Sequence, residues 1–511
     1  MKTRIRLFSV AIALCMLITA CSSGAPEGGN SSGNGDPTQP SSQTQNPVEK
    51  TPTPTPAPTQ ENPGEVIDAE LTAEVSFGNY PPDTAPELEL DTFDRWLEIL
   101  VTQYPNVTPI PDYYSYTLDT YTPRAVGGTA PTIFQPPFTD PQLLISQKLV
   151  GDVTDALEEY GLLEKFSPAF VDLLSDENGR IFGMPRDTYV LGLHLNLDLF
   201  REAGLMNEDG TPQYPKTLQE LAEKGKIIKE KTGKAGLVFP ASETFGGWLW
   251  TNIAWNFGAV GENALERQID GRWVVNLTSE PAVAALEYIK SLKWEYDILN
   301  ADATTTTWAS AHTVLGVGEA AMNFAANDSV SNPTATAGLP VESFALVPFP
   351  GVEGKDAYAL SGGTAYMFAP DVTTDEAVAC LALLRIAGLL PFANAEIEAG
   401  MRADAASRRD RGVPVILPIP MWNDPEFLAL QKAITEEYTN VDQRLYADYF
   451  DSMNNGTISL KGEEPVYSQQ LYRDVTAAIE RVIANEDSDP AALLGMVEAN
   501  FQKFLDSNVN N

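Results

Sequence analysis

The alternation of apolar and polar positions becomes regular only beyond about residue 70. Glu74-Val75-Ser76-Phe77-Gly78 has the two-residue period of a short strand running into a turn. Phe93, Trp96, Leu97, Leu100, Val101 and Tyr104 then recur at three- and four-residue spacing. That pattern predicts a helix with one apolar face, capped at Asp91 and stopped at Tyr104-Pro105. The glycines at 127 and 128 open a turn into Thr132-Ile133-Phe134-Gln135, a short apolar run with a polar exit. Strand, helix, strand is the order of an α/β unit.

The order repeats down the chain. An amphipathic helix is expected near Gln147 to Tyr160, followed by apolar runs at Ile181 to Pro185 and Val190 to Leu195. Ser279 is placed to cap another helix, with Glu280 and Pro281 in its first turn and Ala282, Ala285, Leu286, Ile289 and Leu292 facing inward. Phe344 to Val347 and Thr364 to Phe368 read as further strands, and the chain after Asp375 is mostly helical in pattern. In such α/β folds ligands bind at the carboxyl ends of the strands.

The first 69 residues follow different rules. Lys2, Arg4 and Arg6 precede an apolar stretch from Leu7 to Leu17, the layout of a secretory signal. It is shorter than the roughly 20 apolar residues that span a bilayer. Ile18-Thr19-Ala20-Cys21 closes it and resembles a bacterial lipobox, which makes residues 1–20 the signal peptide and Cys21 the expected acylated N-terminus. The alternative is an ordinary signal whose cleavage falls near a cysteine. Residues 21–69 are dominated by Ser, Gly, Thr, Pro and Gln, with no aromatic and only Val48, Val66 and Ile67 as large aliphatics, so they cannot bury a core and read as a tether. An extracellular, membrane-anchored location follows.

Composition narrows the partners. The chain carries 70 acidic and 33 basic residues, a net charge of −37, and three of those bases lie in the signal. Such charge opposes nucleic acid or an anionic surface as partner. Of three cysteines only Cys380 remains in the folded part, in an apolar stretch that suits a buried, inert thiol. Without a disulfide, about 440 residues must rely on their cores, and that length favours two lobes.

Several stretches resemble family 1 extracellular solute-binding proteins, the group that includes the maltose-binding type. They are Gly127 to Phe134, Gly183-Met184-Pro185 leading into Leu193 to Phe200, Pro215 to Leu221, and Gly318-Glu319-Ala320-Ala321-Met322. The resemblance covers nearly everything after the tether. It implies an α/β, two-lobed periplasmic-binding-protein-like fold of type II, with a hinge and an interlobe cleft. The boundaries expected are 70–188 and 331–390 for the first lobe, and 189–330 and a helical 391–511 for the second. It further implies a sugar or oligosaccharide ligand, the transmembrane permease of an ABC importer as partner, a monomer, and no cofactor.

Carried over by position, the resemblance places Asn79, Tyr80, Gln135 and Phe138 on the first lobe's side of the site. Arg186, Asp187 and Tyr189 fall at the hinge and Trp248 at a sugar-stacking position. The residues themselves add candidates. Phe245-Gly246-Gly247-Trp248-Leu249-Trp250-Thr251-Asn252 joins two glycines, which let backbone approach a ligand, to indoles that pack on sugar faces and an amide that bonds hydroxyls. Core packing is the alternative, because Trp248, Leu249, Asn252 and Trp255 share a helix face; Trp255 is expected in the core. Asn327 and Asp328 stand where the family commonly has an aromatic, which suggests polar reading of the ligand. Gly363, within Ser361-Gly362-Gly363, is expected as a backbone device at the cleft edge.

Two local patterns carry less. Asn207 to Thr211 lacks the ligand spacing of a calcium loop and reads as a turn, so no metal is expected. Gly316-x-Gly318-x-x-Ala321 lacks the strand-turn-helix context of a dinucleotide fingerprint. A surface polysaccharide-active enzyme, an adhesive lipoprotein and a receptor for a peptide or other solute stay open as functions. The first has little support, since the two histidines have no zinc-type spacing and no G-x-S-x-G elbow is present.

Overall fold

The computed structural model describes residues 70–85 and 87–510. The expected signal (1–20), Cys21 and the tether (21–69) lie outside the described residues. The strands run β1 (Ala73–Phe77), β2 (Val107–Pro111), β3 (Ile133–Phe134), β4 (Gly183–Asn196), β5 (Ala235–Val238), β6 (Glu266–Ile269), β7 (Arg272–Val275), β8 (Ala320–Ala326), β9 (Phe344–Pro348), β10 (Tyr358–Phe368) and β11 (Ser459–Lys461). Nine of them form one sheet, seven along the path β2-β1-β3-β10-β4-β8-β5 with β9 added to β4 and β11 to β10; β6 and β7 form a separate hairpin.

That path crosses two cores. Leu71 to Met184 and Ala365 to Phe427 build one, around β1, β3 and the buried helix Thr374–Ile386 that holds Cys380. Val190 to Leu360 and Leu445 to Leu505 build the other. The chain therefore crosses within β4, within β10, and again between the helices Pro425–Tyr438 and Arg444–Asn454. The expected boundaries need correction. β9 pairs with β4 in the second core, so 331–360 does not belong to the first lobe, while Phe392, Trp422 and Phe427 do.

β4 is one 14-residue strand where two were expected. Its ends are buried and its middle, Arg186 to Tyr189, is only half-buried, because the middle lies between cores. Other elements shift for local reasons. The first helix begins at Glu87, a turn before Asp91. Of the helix expected near 147–160 only Thr154–Glu159 is helical; a separate short helix, Pro141–Ser146, precedes it, and the chain between them turns where Lys148 takes a positive φ of 57°. Ser279 precedes the helix Glu280–Trp294 but makes no side-chain capping bond; Ala282, Ala285, Leu286, Ile289 and Leu292 are all buried as expected.

The helix Phe245–Asn256 is buried on every side from Gly246 onward, packed against the helices Ser468–Ala484 and Glu280–Trp294. Its glycines serve that packing rather than a ligand. A Cβ on Gly247 would lie 2.1 Å from the Tyr472 carbonyl oxygen, and the Gly247 N–H donates to Thr476 Oγ1 at 2.8 Å. The turn from β11 to the helix Ser468–Ala484 is pinned onto the same bundle. Glu464 accepts from Trp255 Nε1 at 2.7 Å and pairs with Lys461 Nζ at 3.3 Å, while Lys461 Nζ sits 4.0 Å from the Trp255 ring centroid. Glu266 accepts the Val466 N–H at 2.9 Å. These contacts fix Glu463 between them.

Two outcomes follow from this packing. Gly247→Ala forces two backbones apart and should lower unfolding free energy by about 1–3 kcal/mol in urea titration. Glu266 is held well above the usual carboxyl range by burial and then by repulsion from Glu464, against the Val466 bond and Lys461. The folded form thus keeps a proton that the unfolded form releases, and stability falls as pH rises above the ordinary glutamate range. Glu266→Gln, which retains an acceptor for Val466, should flatten the decline in melting temperature between pH 5 and 8 relative to the parent.

Candidate functional site

Where β4 and β10 cross between the lobes, their pairing is irregular. Thr364 stands opposite Asp187 and Ala365 opposite Pro185, so Arg186 is the extra residue of a bulge. Asp187 accepts the Thr364 N–H and hydroxyl, both at 2.9 Å, and pairs with Arg186, whose guanidinium also reaches Thr364 Oγ1 at 3.2 Å. Gly362 and Gly363 complete the crossing. A Cβ on Gly362 would fall 2.2 Å from the Tyr189 hydroxyl, and one on Gly363 2.2 Å from the Asp187 carbonyl oxygen.

Tyr189 leads from this crossing into a pocket of about 200 Å³. Phe245 and Trp248 enter from the first turns of their helix, Trp308 from the start of the helix Trp308–Gly316, Ala326 and Asp328 from the end of β8, and Glu463, Gln469 and Tyr472 from the C-terminal segment. The rings brace one another. Phe245 stacks on Trp308 with centroids 5.3 Å apart, Trp248 meets Trp308 edge-on at 5.4 Å, and Tyr189 meets Trp248 at 6.1 Å.

Two carboxylates share the pocket. Glu463 Oε1 accepts from the Tyr189 hydroxyl at 3.1 Å, whereas Glu463 Oε2 and the Tyr472 hydroxyl are buried without a well-aligned partner. Burial pushes the Glu463 carboxyl up, Tyr189, Tyr472 and Trp248 moderate the rise, and Asp140 adds to it. Asp328 opens to the cleft water yet is hemmed in by protein, and this desolvation, with the nearby Asp187, pushes it up to about 6. Asp140 belongs to the first lobe, where it accepts from Tyr116 Oη at 2.7 Å and Thr139 Oγ1 at 2.8 Å. Burial raises Tyr467, and the first-lobe carboxylates Asp119 and Asp140 add to it.

The expected site residues divide. Tyr189, Trp248 and Asp328 line the pocket. Arg186, Asp187 and Gly363 form the crossing beside it. Asn327 supports it from behind, its Oδ1 accepting the Val190 N–H at 2.9 Å and the Tyr449 hydroxyl at 3.0 Å. Trp250 and Asn252 are corrections. Both are fully buried; Trp250 is core, and Asn252 bonds the backbone of Tyr358 and Leu360, tying its helix to β10. On the first lobe Tyr80 bonds Asp94 at 2.8 Å and packs on Phe93, Asn79 bridges to Tyr113, and Phe138 donates its N–H to Gly363 at 3.0 Å; none of these, nor Gln135, lines the pocket. Trp308, Glu463, Gln469 and Tyr472 were not anticipated. The Lys-Gly-Glu-Glu-Pro stretch at 461–465, a turn before a helix, is the one visible sign of Glu463, Gln469 and Tyr472, and Trp308 has none of that kind.

The other motifs fall away from the cleft. Asn207 to Thr211 closes on itself, with Asp209 Oδ1 accepting from Thr211 Oγ1 at 2.7 Å. Gly316 ends a helix before β8, the reverse of the strand-to-helix order that a dinucleotide needs. A larger cavity, about 460 Å³, is lined by Tyr214, Lys216, Lys355, Asp448 and neighbours. All of its walls belong to the second lobe and none to a crossing strand, so movement of the lobes would not enclose it.

Solved structures of the same shape support this view of the fold. Maltose-bound MalE3 of T. maritima aligns with 85% of this chain and 100% of its own at 17% identity and a TM-score of 0.58. The GacH receptor of Streptomyces glaucescens, solved unliganded and with acarbose, aligns with 85% and 99% at 16% identity and 0.59. Lmo0181 of Listeria monocytogenes, an ABC substrate-binding protein in complex with cycloalternan, aligns with 85% and 99% at 16% and 0.58. No curated protein matches by sequence. Residues 98–384, more than half of the chain, match the family of bacterial extracellular solute-binding proteins, and the chain belongs to that family.

Proposed function

We propose that this protein captures a carbohydrate reversibly between its lobes, outside the cell, and presents the closed form to the permease of an ABC importer. The pocket beside the crossing strands carries the reading. Five rings offer faces for the apolar side of a sugar, and two carboxylates and Gln469 offer acceptors and a donor for its hydroxyls. Solved proteins of this fold hold maltose, acarbose and cycloalternan. Closure about β4 and β10 would let binding energy shift an open-closed equilibrium, as a transport receptor requires. Binding without turnover is part of the reading, as are export and acylation at Cys21, which hold the receptor near its permease.

Thermal stability of residues 70–511 across mono- and oligosaccharides tests capture, since a ligand that binds the folded form raises the melting temperature by mass action. A shift with one glycan class and no product supports the reading; product formation replaces it with an enzyme. Mass analysis of the mature N-terminus decides the anchor.

The aromatics should separate in their effects. Trp308→Ala removes a half-buried wall and is expected to weaken carbohydrate binding about tenfold or more in calorimetric titration, with a small change in melting temperature. Trp250→Ala empties a core position and should cost about 3–5 kcal/mol in unfolding free energy.

A further inference from the structure

The charge of the pocket is more specific than a neutral sugar requires. Its lining holds Asp328 and Glu463 and no lysine, arginine or histidine. The next carboxylates around it, Asp187 and Asp140, have the same sign and act on Asp328 and Glu463 respectively. Arg186, the cation at the crossing, is committed to Asp187 and Thr364. Glu463 Oε2 is buried at the pocket wall with no well-aligned hydrogen-bond partner, and the neutral donors around the carboxyl, Tyr189, Tyr472 and Trp248, carry no positive charge. A hydroxyl could complete that bond but would leave the negative charge without a counter-charge once water is expelled. A protonated amine does both, and the surrounding indoles and phenols present the electron-rich faces that attract cations.

We infer that the ligand carries a protonated amine, seated between Glu463 and Asp328 within the ring of Tyr189, Phe245, Trp248, Trp308 and Tyr472. This inference rests on the carbohydrate-capture reading and sharpens it to an amino sugar. The volume agrees with one ring-sized group, since about 200 Å³ falls below the ~300 Å³ at which pockets for larger ligands begin. The strongly acidic chain favours approach of such a ligand at low ionic strength.

Calorimetric titration of the whole folded domain decides it, with glucosamine and its β-1,4 dimer, the N-acetylated forms of both, maltose, and choline as probes at neutral pH and low salt. The expected result is that an amine-bearing sugar binds at least tenfold tighter than its N-acetylated form and than maltose. Glu463→Gln, nearly equal in shape, should remove most of that preference, and Asp328→Asn serves as a second variant should the first misfold. Equal or tighter binding of maltose or an N-acetylated sugar overturns the amine and leaves carbohydrate capture standing. Choline binding tighter than every sugar keeps the cation and overturns the carbohydrate reading. Folded protein that binds none of the probes overturns the amino-sugar assignment.

Discussion

The pairing of β4 with β10 is the constraint on which the remaining architecture depends. Each strand begins in one core and ends in the other, running antiparallel, so the lobes share a hydrogen-bonded ribbon instead of a mere linker. A ribbon of two strands can twist but cannot easily shear, because shear would break its ladder. The close approach at Gly362 and Gly363 brings β10 against Tyr189 and Asp187, and the bulge at Arg186 concentrates the irregularity at one point. Asp187 spends its acceptors on the Thr364 N–H and hydroxyl and on Arg186. The charged pair at the crossing thus shapes backbone first and borders the pocket second.

The same ribbon explains which parts of the fold were legible in the sequence. Runs such as Val190 to Leu195 and Phe344 to Val347 lie inside a core and read plainly as strands. Arg186 to Tyr189 lies between cores, so its polar residues broke the apolar signal and one strand looked like two. The second crossing was misplaced for a related reason. Nothing in the composition of 331–360 says which core it joins, because β9 pairs with a strand about 150 residues earlier in the chain. Helices were read best where one face is apolar, as in Glu280–Trp294.

The site was partly legible, and helix Phe245–Asn256 shows the limit. A helix buried on all sides has no polar stripe, so spacing could not separate Trp248, at the pocket, from Trp250, in the core. The face of the helix separates them instead: Phe245 and Trp248, three residues apart, share the side that meets the pocket, and Trp250, two residues on, points to the opposite side, into the bundle. Glu463 had no local signature, since its partner Tyr189 is 274 positions away and only the third crossing brings them together. The neighbouring Glu464 has the same side chain and the opposite fate, fully enclosed by Trp255 and Lys461. What distinguishes them is which side of one turn each occupies.

Electrostatics connects the pocket to motion. Most of its wall belongs to the second lobe, but Asp140 of the first lobe acts on Glu463, and Asp119 and Asp140 act on Tyr467. Closing the empty cleft would strip water from these carboxylates while bringing like charges nearer, and both effects oppose closure. A ligand that supplies hydrogen bonds or positive charge to Glu463 and Asp328 reduces that opposition in the closed form alone. Differential stabilisation of this kind is what a conformational equilibrium responds to, and tight binding to the open pocket alone would leave the equilibrium unchanged. Under the proposed capture the acidic wall would have two roles, recognising what enters and opposing closure until it has done so.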